Sequence, residues 1–329
     1  MKGPSEVRLT RRELLGGALV GGAGLIVGCG PTPAQQLARA EGLAGPKRRR
    51  VWAMADSHIG CAGRANDGRD GGAWLKLCLD DLRERVEPKD GAVDYVAALG
   101  DLTHNAGPAD ELKRYVQIRN QSHLKRWYEL AGNHDFAAVP SGRWRRIIRR
   151  PPRYALIDGT LAWFFLSAEQ GKSDGRVCRA TAKWLKEAVA RHQDKRNIVV
   201  CSHQAVWGTV TGSSDSGAAL NHRGLVRNVI SQVRIDLWLC GHIHGGRRNA
   251  RYVARRDRTT YVNVAAAGHA YGTGACNGYV LEMAEGANTL RARCRDHDHD
   301  RYLEDQSLTV KFPHRWRFFD EPVVLPAPV

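Results

Sequence analysis

Five short polar clusters in this chain could hold cations: Asp56-x-His58, Gly100-Asp101, Gly132-Asn133-His134-Asp135, His203, and Gly241-His242-x-His244. Carboxylate and imidazole donors together suit borderline divalent ions such as zinc, manganese or iron, whereas a cysteine-rich set selects softer ones. An isolated Asp-x-His arises by chance, and an isolated Gly-Asp even more readily. Gly-Asn-His-Asp and Gly-His-x-His are more specific, and all five in this order form a strong signal for metal-ion chemistry.

Elements must bring these clusters together, and the hydropathy pattern supplies them. Apolar runs at 51–55, 93–99, 127–130, 198–201 and 235–240 each end at, or within three residues of, one cluster. Helical periodicity is expected over about 73–86, with Leu75, Leu79, Leu82 and Val86 on one face and Pro88 closing it. Further helices are expected from Pro108, over 180–191 and over 223–233, and the Arg-rich stretch 143–153 reads as a loop. Asp158-Gly159 joins strand runs 154–157 and 161–166 as a hairpin. Short β runs near 261–264, 279–282 and 289–294 follow. Alternating strands and helices, then mostly strands, argue for an α/β sandwich. Open α/β sheets build ligand sites at the carboxyl ends of their strands, where all five clusters fall. The glycines before Asp101, Asn133 and His242 would let the chain turn sharply there.

These motifs resemble the calcineurin-like metallophosphoesterase superfamily over about 50–294, and within it the cyclic-nucleotide phosphodiesterase-like branch. The resemblance implies a four-layer α/β/β/α sandwich of two mixed sheets flanked by helices, with a dinuclear centre. Asp56, His58 and His244 would hold one metal ion; His203, His242 and Asn133 would hold the other; Asp101 would bridge the two. The ions would be divalent or trivalent iron, manganese or zinc. His134 would contact the substrate phosphate and protonate the leaving oxygen, and Asp135 would orient His134. Two such cations about 3.5–4 Å apart share a water, lower its pKa toward neutrality and clamp phosphoryl oxygens during in-line attack. In purple acid phosphatases a tyrosine three residues after the bridging aspartate ligates the iron. Here that position is His104, which disfavours that subfamily, and His104 reads as an outer or surface residue. The expected activity is hydrolysis of phosphate esters, as a phosphodiesterase acting on a small substrate. The rivals are an exported phosphomonoesterase or nucleotidase, and a non-catalytic anion-binding surface lipoprotein.

The N-terminus is an address. Arg11-Arg12-Glu13-Leu14-Leu15 followed by a Gly-rich apolar run resembles a twin-arginine export signal. Leu25-Ile26-Val27-Gly28-Cys29 resembles a lipobox, which would attach the exported protein to a membrane through a lipidated Cys29. The expected organisation is a signal over 1–29, a linker over 30–49, the catalytic domain over 50–295 and a C-terminal tail over 296–329 that packs on the domain. The aromatic content of the tail (Phe312, Trp316, Phe318 and Phe319) argues against free coil.

The formal charge of +16 admits an anionic partner. The basic residues are scattered, without the aromatic-interleaved stripe of a nucleic-acid groove, so nucleic acid is not the expected partner. Arg143, Arg145, Arg146, Arg149, Arg150 and Arg153 could rim an anionic substrate, or form a solvated loop. The loop 208–217 could reach over the site, or be a connector. No Cys-x-x-Cys pair occurs among eight cysteines, and Cys201 and Cys240, two residues before His203 and His242, read as small hydrophobes beneath the site. Asp296-His297-Asp298-His299-Asp300 looks like a metal tract, but its position past the last predicted strand places it on the surface without a functional ion.

Overall fold

The apolar runs lack strict alternation because their strands are covered on both sides. In the computed structural model, β1 (Arg48–Met54) shows this directly: Val51 and Ala53 face an opposing sheet while Trp52 and Met54 face helices, and all four are fully buried. The structure describes residues 46–62, 68–167, 177–215, 219–220, 223–244, 252–268 and 276–327. The export and lipobox motifs and most of the linker lie outside them. Among the described residues no helix is long and apolar enough to cross a membrane.

From β1 the chain enters α1 (Gly71–Asp81), then β2 (Tyr95–Leu99), α2 (Ala109–Gln121), β3 (Trp127–Leu130) and the short α3 (Arg143–Ile147). The hairpin β4 (Arg153–Asp158) and β5 (Leu161–Leu166) follows, then α4 (Arg179–His192), β6 (Asn197–Ser202), α5 (Arg223–Gln232) and β7 (Leu237–Cys240). Six strands complete the order: β8 (Val253–Arg256), β9 (Thr259–Asn263), β10 (Asn277–Ala284), β11 (Thr289–Asp296), β12 (Arg301–Lys311) and β13 (Val323–Pro326). They form a six-stranded sheet, β12-β11-β10-β1-β2-β3, and a seven-stranded sheet, β13-β4-β5-β6-β7-β9-β8. Within them β1, β2 and β3 run parallel, as do β5, β6, β7 and β9, and the outer pairs are antiparallel. Both sheets are therefore mixed.

Three cores separate four layers. Tyr95, Trp163, Phe165, Leu239, Tyr279 and Trp316 fill the space between the sheets. Trp74, Leu75, Leu112 and Tyr115 from α1 and α2 pack on Trp52, Val96 and Trp127. Leu185, Val189, Val226 and Val229 from α4 and α5 cover Phe164, Val200 and Trp238. The result is the expected α/β/β/α sandwich.

Some local expectations change. Pro88 does not end the first helix: α1 continues through a π-helical stretch, Leu82–Val86, into a last turn, Glu87–Asp90, where Pro88 sits in the first turn and its missing N–H costs nothing. Part of the Arg-rich stretch read as a loop is α3, anchored by the fully buried Trp144. The segment beyond 295 is more than a tail, because β12 pairs with β11 and β13 pairs with β4, giving each sheet an edge strand. The polar Glu304, Asp305 and Gln306 on β12 hide its strand pattern in the sequence.

The Asp-His tract is also corrected. Asp296 ends β11, and His297 is 1% exposed. The His297 ring meets Asp81 at Nδ1 (2.8 Å) and Trp52 Nε1 at Nε2 (3.2 Å). The indole N–H can only donate, so Nδ1 carries the imidazole proton. Arg295 grips the same Asp81 with two bonds, at 2.8 and 2.5 Å, and also pairs with Asp300. This buried knot ties α1 to the end of β11. Burial pushes the Asp81 carboxyl up, but the bonds from Arg295 and His297 outweigh it and hold it at about 2. Its contribution to stability is full above about pH 4, the unfolded value, and is lost as the pH falls toward 2. Asp81→Ala should cost about 3 kcal/mol, because it strands a buried guanidinium that keeps only Asp300. Denaturant unfolding at pH 7 checks this, and a change within error would show that the knot is not stabilising.

Candidate metal centre

The strand ends that carry the clusters meet at one edge of the sandwich. Asp56 and His58 follow β1, Asp101 follows β2, Asn133 follows β3, His203 follows β6, and His242 and His244 follow β7. Backbone bonds fasten these ends together: Asp56 N–H to Gly100 O (2.9 Å), His58 N–H to Asp101 O (3.0 Å) and Gly241 N–H to His203 O (2.9 Å). Asp56, His58, Asp101 and His242 all have positive φ, at 58°, 44°, 50° and 67°. Such conformations cost on the order of 1–3 kcal/mol each and concentrate where a site demands them. Gly100 also has positive φ, 91°, and a Cβ there would meet His203 Nδ1 at 2.8 Å. Gly132 does not; it is needed for space, since a Cβ would collide with the Asp101 carboxylate and backbone.

Six of the seven predicted ligands form two adjoining groups, Asp56 with His58 and His244, and Asp101 with His203 and His242. In the first, His244 Nε2 lies 3.2 Å from Asp56 Oδ1 and 3.1 Å from His58 Nε2. In the second, His203 Nε2 lies 3.0 Å from Asp101 Oδ2. His58 Nε2 stands 3.7 Å from both carboxylates, which joins the two groups. The seventh residue, Asn133, is fixed through Oδ1, which accepts from Gln204 Nε2 at 3.0 Å.

The donor set fits a pair of cations. Asp56 Oδ1, Asp101 Oδ2 and His203 Nε2 are buried with no hydrogen-bond partner. His203 Nδ1 lies 2.7 Å from the Leu99 carbonyl and must donate to it, so the neutral ring keeps a lone pair on Nε2. That lone pair would face the lone pairs of Asp101 Oδ2. The 3.0 Å approach is close enough for an ion pair, yet it lacks hydrogen-bond alignment. A positive charge has to resolve it. Burial disfavours a proton on His203, but Asp101 and Asp56 outweigh burial and hold the ring at about 9. A divalent ion replaces such a proton when it binds. His242 is pushed down to about 4 by burial and by His203, which leaves a neutral donor.

Around this centre the sequence reading needs one correction. Asp135 does not touch the His134 ring. Its buried carboxylate accepts from Leu102 N–H, Thr103 N–H, Thr103 Oγ1 and Gly132 N–H, bracing the loops after β2 and β3. The His134 ring is held by the His104 carbonyl, which accepts from Nδ1 at 2.6 Å. His104 is no surface bystander: its ring stacks on His134 (5.2 Å, 16°) and its Nδ1 lies 3.3 Å from His58 Nδ1. Gln204 and Glu111 are further site residues that sequence reading missed. Gln204 could have been suspected as the neighbour of His203; Glu111, seven residues after His104 on α2, belongs to no metal-ligand motif and gave no signal. Cys201 and Cys240 are buried, and burial pushes both thiols up, so they act as apolar packing. In the loop 208–217, Gly212 lies against Ile243, between His242 and His244.

Comparison with known proteins accords with this geometry. Solved structures with the same fold include purple acid phosphatase PPD1 from yellow lupin (Lupinus luteus) seeds, with TM-score 0.56 and 14% identity over 81% of this chain and 54% of that one. Weaker likenesses are to the sulfate thiohydrolase SoxB of Thermus thermophilus (TM-score 0.45, 16% identity, 78% and 58% covered) and the calcineurin-like phosphoesterase YfkN of Bacillus subtilis (TM-score 0.41, 11% identity, 85% and 91% covered). This chain thus spans about half the length of the lupin enzyme. No curated protein sequence matches it. The calcineurin-like phosphoesterase family matches residues 49–246, more than half of the chain and every residue of the two ligand groups, and the chain belongs to that family.

Proposed function

We propose that this protein hydrolyses phosphate esters, with a preference for diesters, at a centre holding two divalent cations. One observation supports this above all: three buried ligand atoms, Asp56 Oδ1, Asp101 Oδ2 and His203 Nε2, converge without hydrogen-bond partners. Asp56, His58 and His244 would hold one cation, His203, His242 and Asn133 the other, and Asp101 would reach both. When bound, the cations supply positive charge that polarises the phosphoryl group and activates water. The chain's own groups do the rest. Asp56 and Asp101 would offset the repulsion between the cations, the neutral His242 would donate a lone pair, and His244 would present Nε2 beside Asp56. With Nδ1–H given to the His104 carbonyl, His134 would present Nε2 to the ester oxygens, and a second ring proton taken up at Nε2 would pass from there to the departing alkoxide. The Arg11-Arg12 pair and the Leu25–Cys29 segment support placing this activity outside the cytoplasm, tethered to a membrane.

Elemental analysis of purified protein, followed by assays with bis(p-nitrophenyl) phosphate and p-nitrophenyl phosphate under zinc, manganese and iron, tests the reading. The expected result is about two cations per chain and faster turnover of the diester. Faster turnover of the monoester would move the assignment to a phosphomonoesterase. Turnover of neither, nor of a nucleotide panel, would leave the enzyme reading without support.

A further inference from the structure

The loop after Asp101 touches the centre from outside at two points, and both belong to one residue. His104 Nδ1 lies 3.3 Å from Nδ1 of His58, while its carbonyl takes the Nδ1–H of His134 and its ring stacks on that of His134. Its backbone is pinned in turn by Glu111 of α2. Glu111 Oε2 accepts from His104 N–H (2.9 Å) and Asn105 N–H (3.1 Å), and Oε1 accepts from Asn105 Nδ2 (2.5 Å). Glu111 is 8% exposed, so these bonds are scarcely diluted by solvent. A carboxylate buried under a loop fixes that loop only because every one of its bonds is spent on the same two residues.

The tautomers then follow as a chain. For His58 Nε2 to offer a lone pair beside His244 Nε2 and Asp56, the ring proton must sit on His58 Nδ1. At 3.3 Å that proton meets His104 Nδ1, which then accepts and carries its own proton on Nε2. The geometry points to His104 as a positioning residue: its imidazole orients the cation ligand His58, and its carbonyl orients the proton donor His134, with Glu111 anchoring both functions. Metal-bound histidines ordinarily pass their second N–H to a carboxylate or carbonyl, and such outer partners set ring orientation and basicity. Here a second histidine takes that place. His58, His104 and His134 also have ligand atoms close enough to suggest a third cation. His58 cannot give Nε2 to one cation and Nδ1 to another without losing its last ring proton, so orientation is the better account of the cluster.

This inference rests on the two-cation reading, and the test separates them. His104→Phe keeps a ring to stack on His134 and keeps the carbonyl, but removes the acceptor; His104→Asn restores a polar acceptor near the same place. Metal-free protein is titrated with Co2+, and binding is followed by chelator competition and visible absorption. Wild type should bind two equivalents. In His104→Phe one of the two should bind about 10–100-fold more weakly with altered absorption, the other being unchanged. His104→Asn should recover most of the loss, and the melting temperature of the chelated protein should not move. Two unchanged affinities in His104→Phe, equal weakening of both with a lower melting temperature, or loss of a third equivalent would each overturn the inference while leaving the two-cation reading in place. Wild type that binds no cation would overturn both.

Discussion

Asp101→Asn should leave the fold intact and abolish the capacity to hold two cations at once. The substitution keeps the size of the side chain and an oxygen for the His134 N–H, which bonds Asp101 Oδ1 at 2.7 Å. It removes the negative charge at Oδ2, the atom 3.0 Å from His203 Nε2 and 3.7 Å from His58 Nε2. Losing an outer partner of a ligand already weakens metal binding about 10–100-fold, so losing a charged ligand shared by two ions should exceed the top of that range. Turnover should fall at least about 10³-fold, the upper end for removal of one preorganised electrostatic group. Stability gives an independent readout. In chelated protein burial pushes the Asp101 carboxyl up, but His203 and His58 outweigh burial and the Asp56 charge and hold it at about 2, so the asparagine variant loses that pairing and should melt lower than chelated wild type at neutral pH. Wild type should gain about 2.7 kcal/mol from cation at a hundredfold excess over Kd, and the variant should gain less. A variant that still binds two ions per chain and still turns over would remove Asp101 from the bridging position.

The strands were legible because their burial is two-sided. A run such as 51–55 gives no alternation, but its end at Asp56 locates a carboxyl terminus at which five clusters could gather. What eluded sequence reading was structure whose apolar residues are diluted by charge. The edge strand β12 exposes Glu304 and Asp305 and half-buries Gln306, and its inward Val310 is too isolated to mark a strand. The tract 296–300 failed for the opposite reason. Its alternating Asp and His suggest solvent, yet Arg295, Asp81 and Trp52 supply the partners that make burial of His297 affordable. Those partners lie more than two hundred residues away along the chain, apart from Arg295.

The same distinction divides the centre. Ligands sit at strand ends in short motifs, so spacing reveals them. The groups that aim them are recruited through folding: Gln204 reaches Asn133 across 71 positions, and His104 reaches His58 across 46. The orienting role toward His134 that the resemblance implied for Asp135 does not survive the local geometry. A 3-10 turn over Asn133–Ala138 sends the two side chains apart, one to the centre and one into the loops beneath it.

His134→Ala should separate proton transfer from cation binding. His134 bonds Asp101 through its backbone N–H, which alanine keeps, and its ring packs edge-on against His58 with centroids 4.8 Å apart, so the variant should retain both cations with at most a small drop in melting temperature. Turnover should fall about 10²–10⁴-fold on esters whose leaving group is an alkoxide, which cannot depart near neutrality without a proton. The loss should be far smaller on p-nitrophenyl esters, because p-nitrophenolate is stable enough to leave unprotonated. The ratio of the two losses is the decisive quantity, since general weakening of the site lowers both rates alike. A steeper dependence of rate on leaving-group pKa in the variant would identify His134 Nε2 as the proton donor. Equal losses on both ester types would instead assign His134 to binding the phosphoryl oxygens. The bond from Nδ1 to the His104 carbonyl makes the first outcome the expected one, because it commits Nδ1 and assigns proton exchange with the ester oxygen to Nε2.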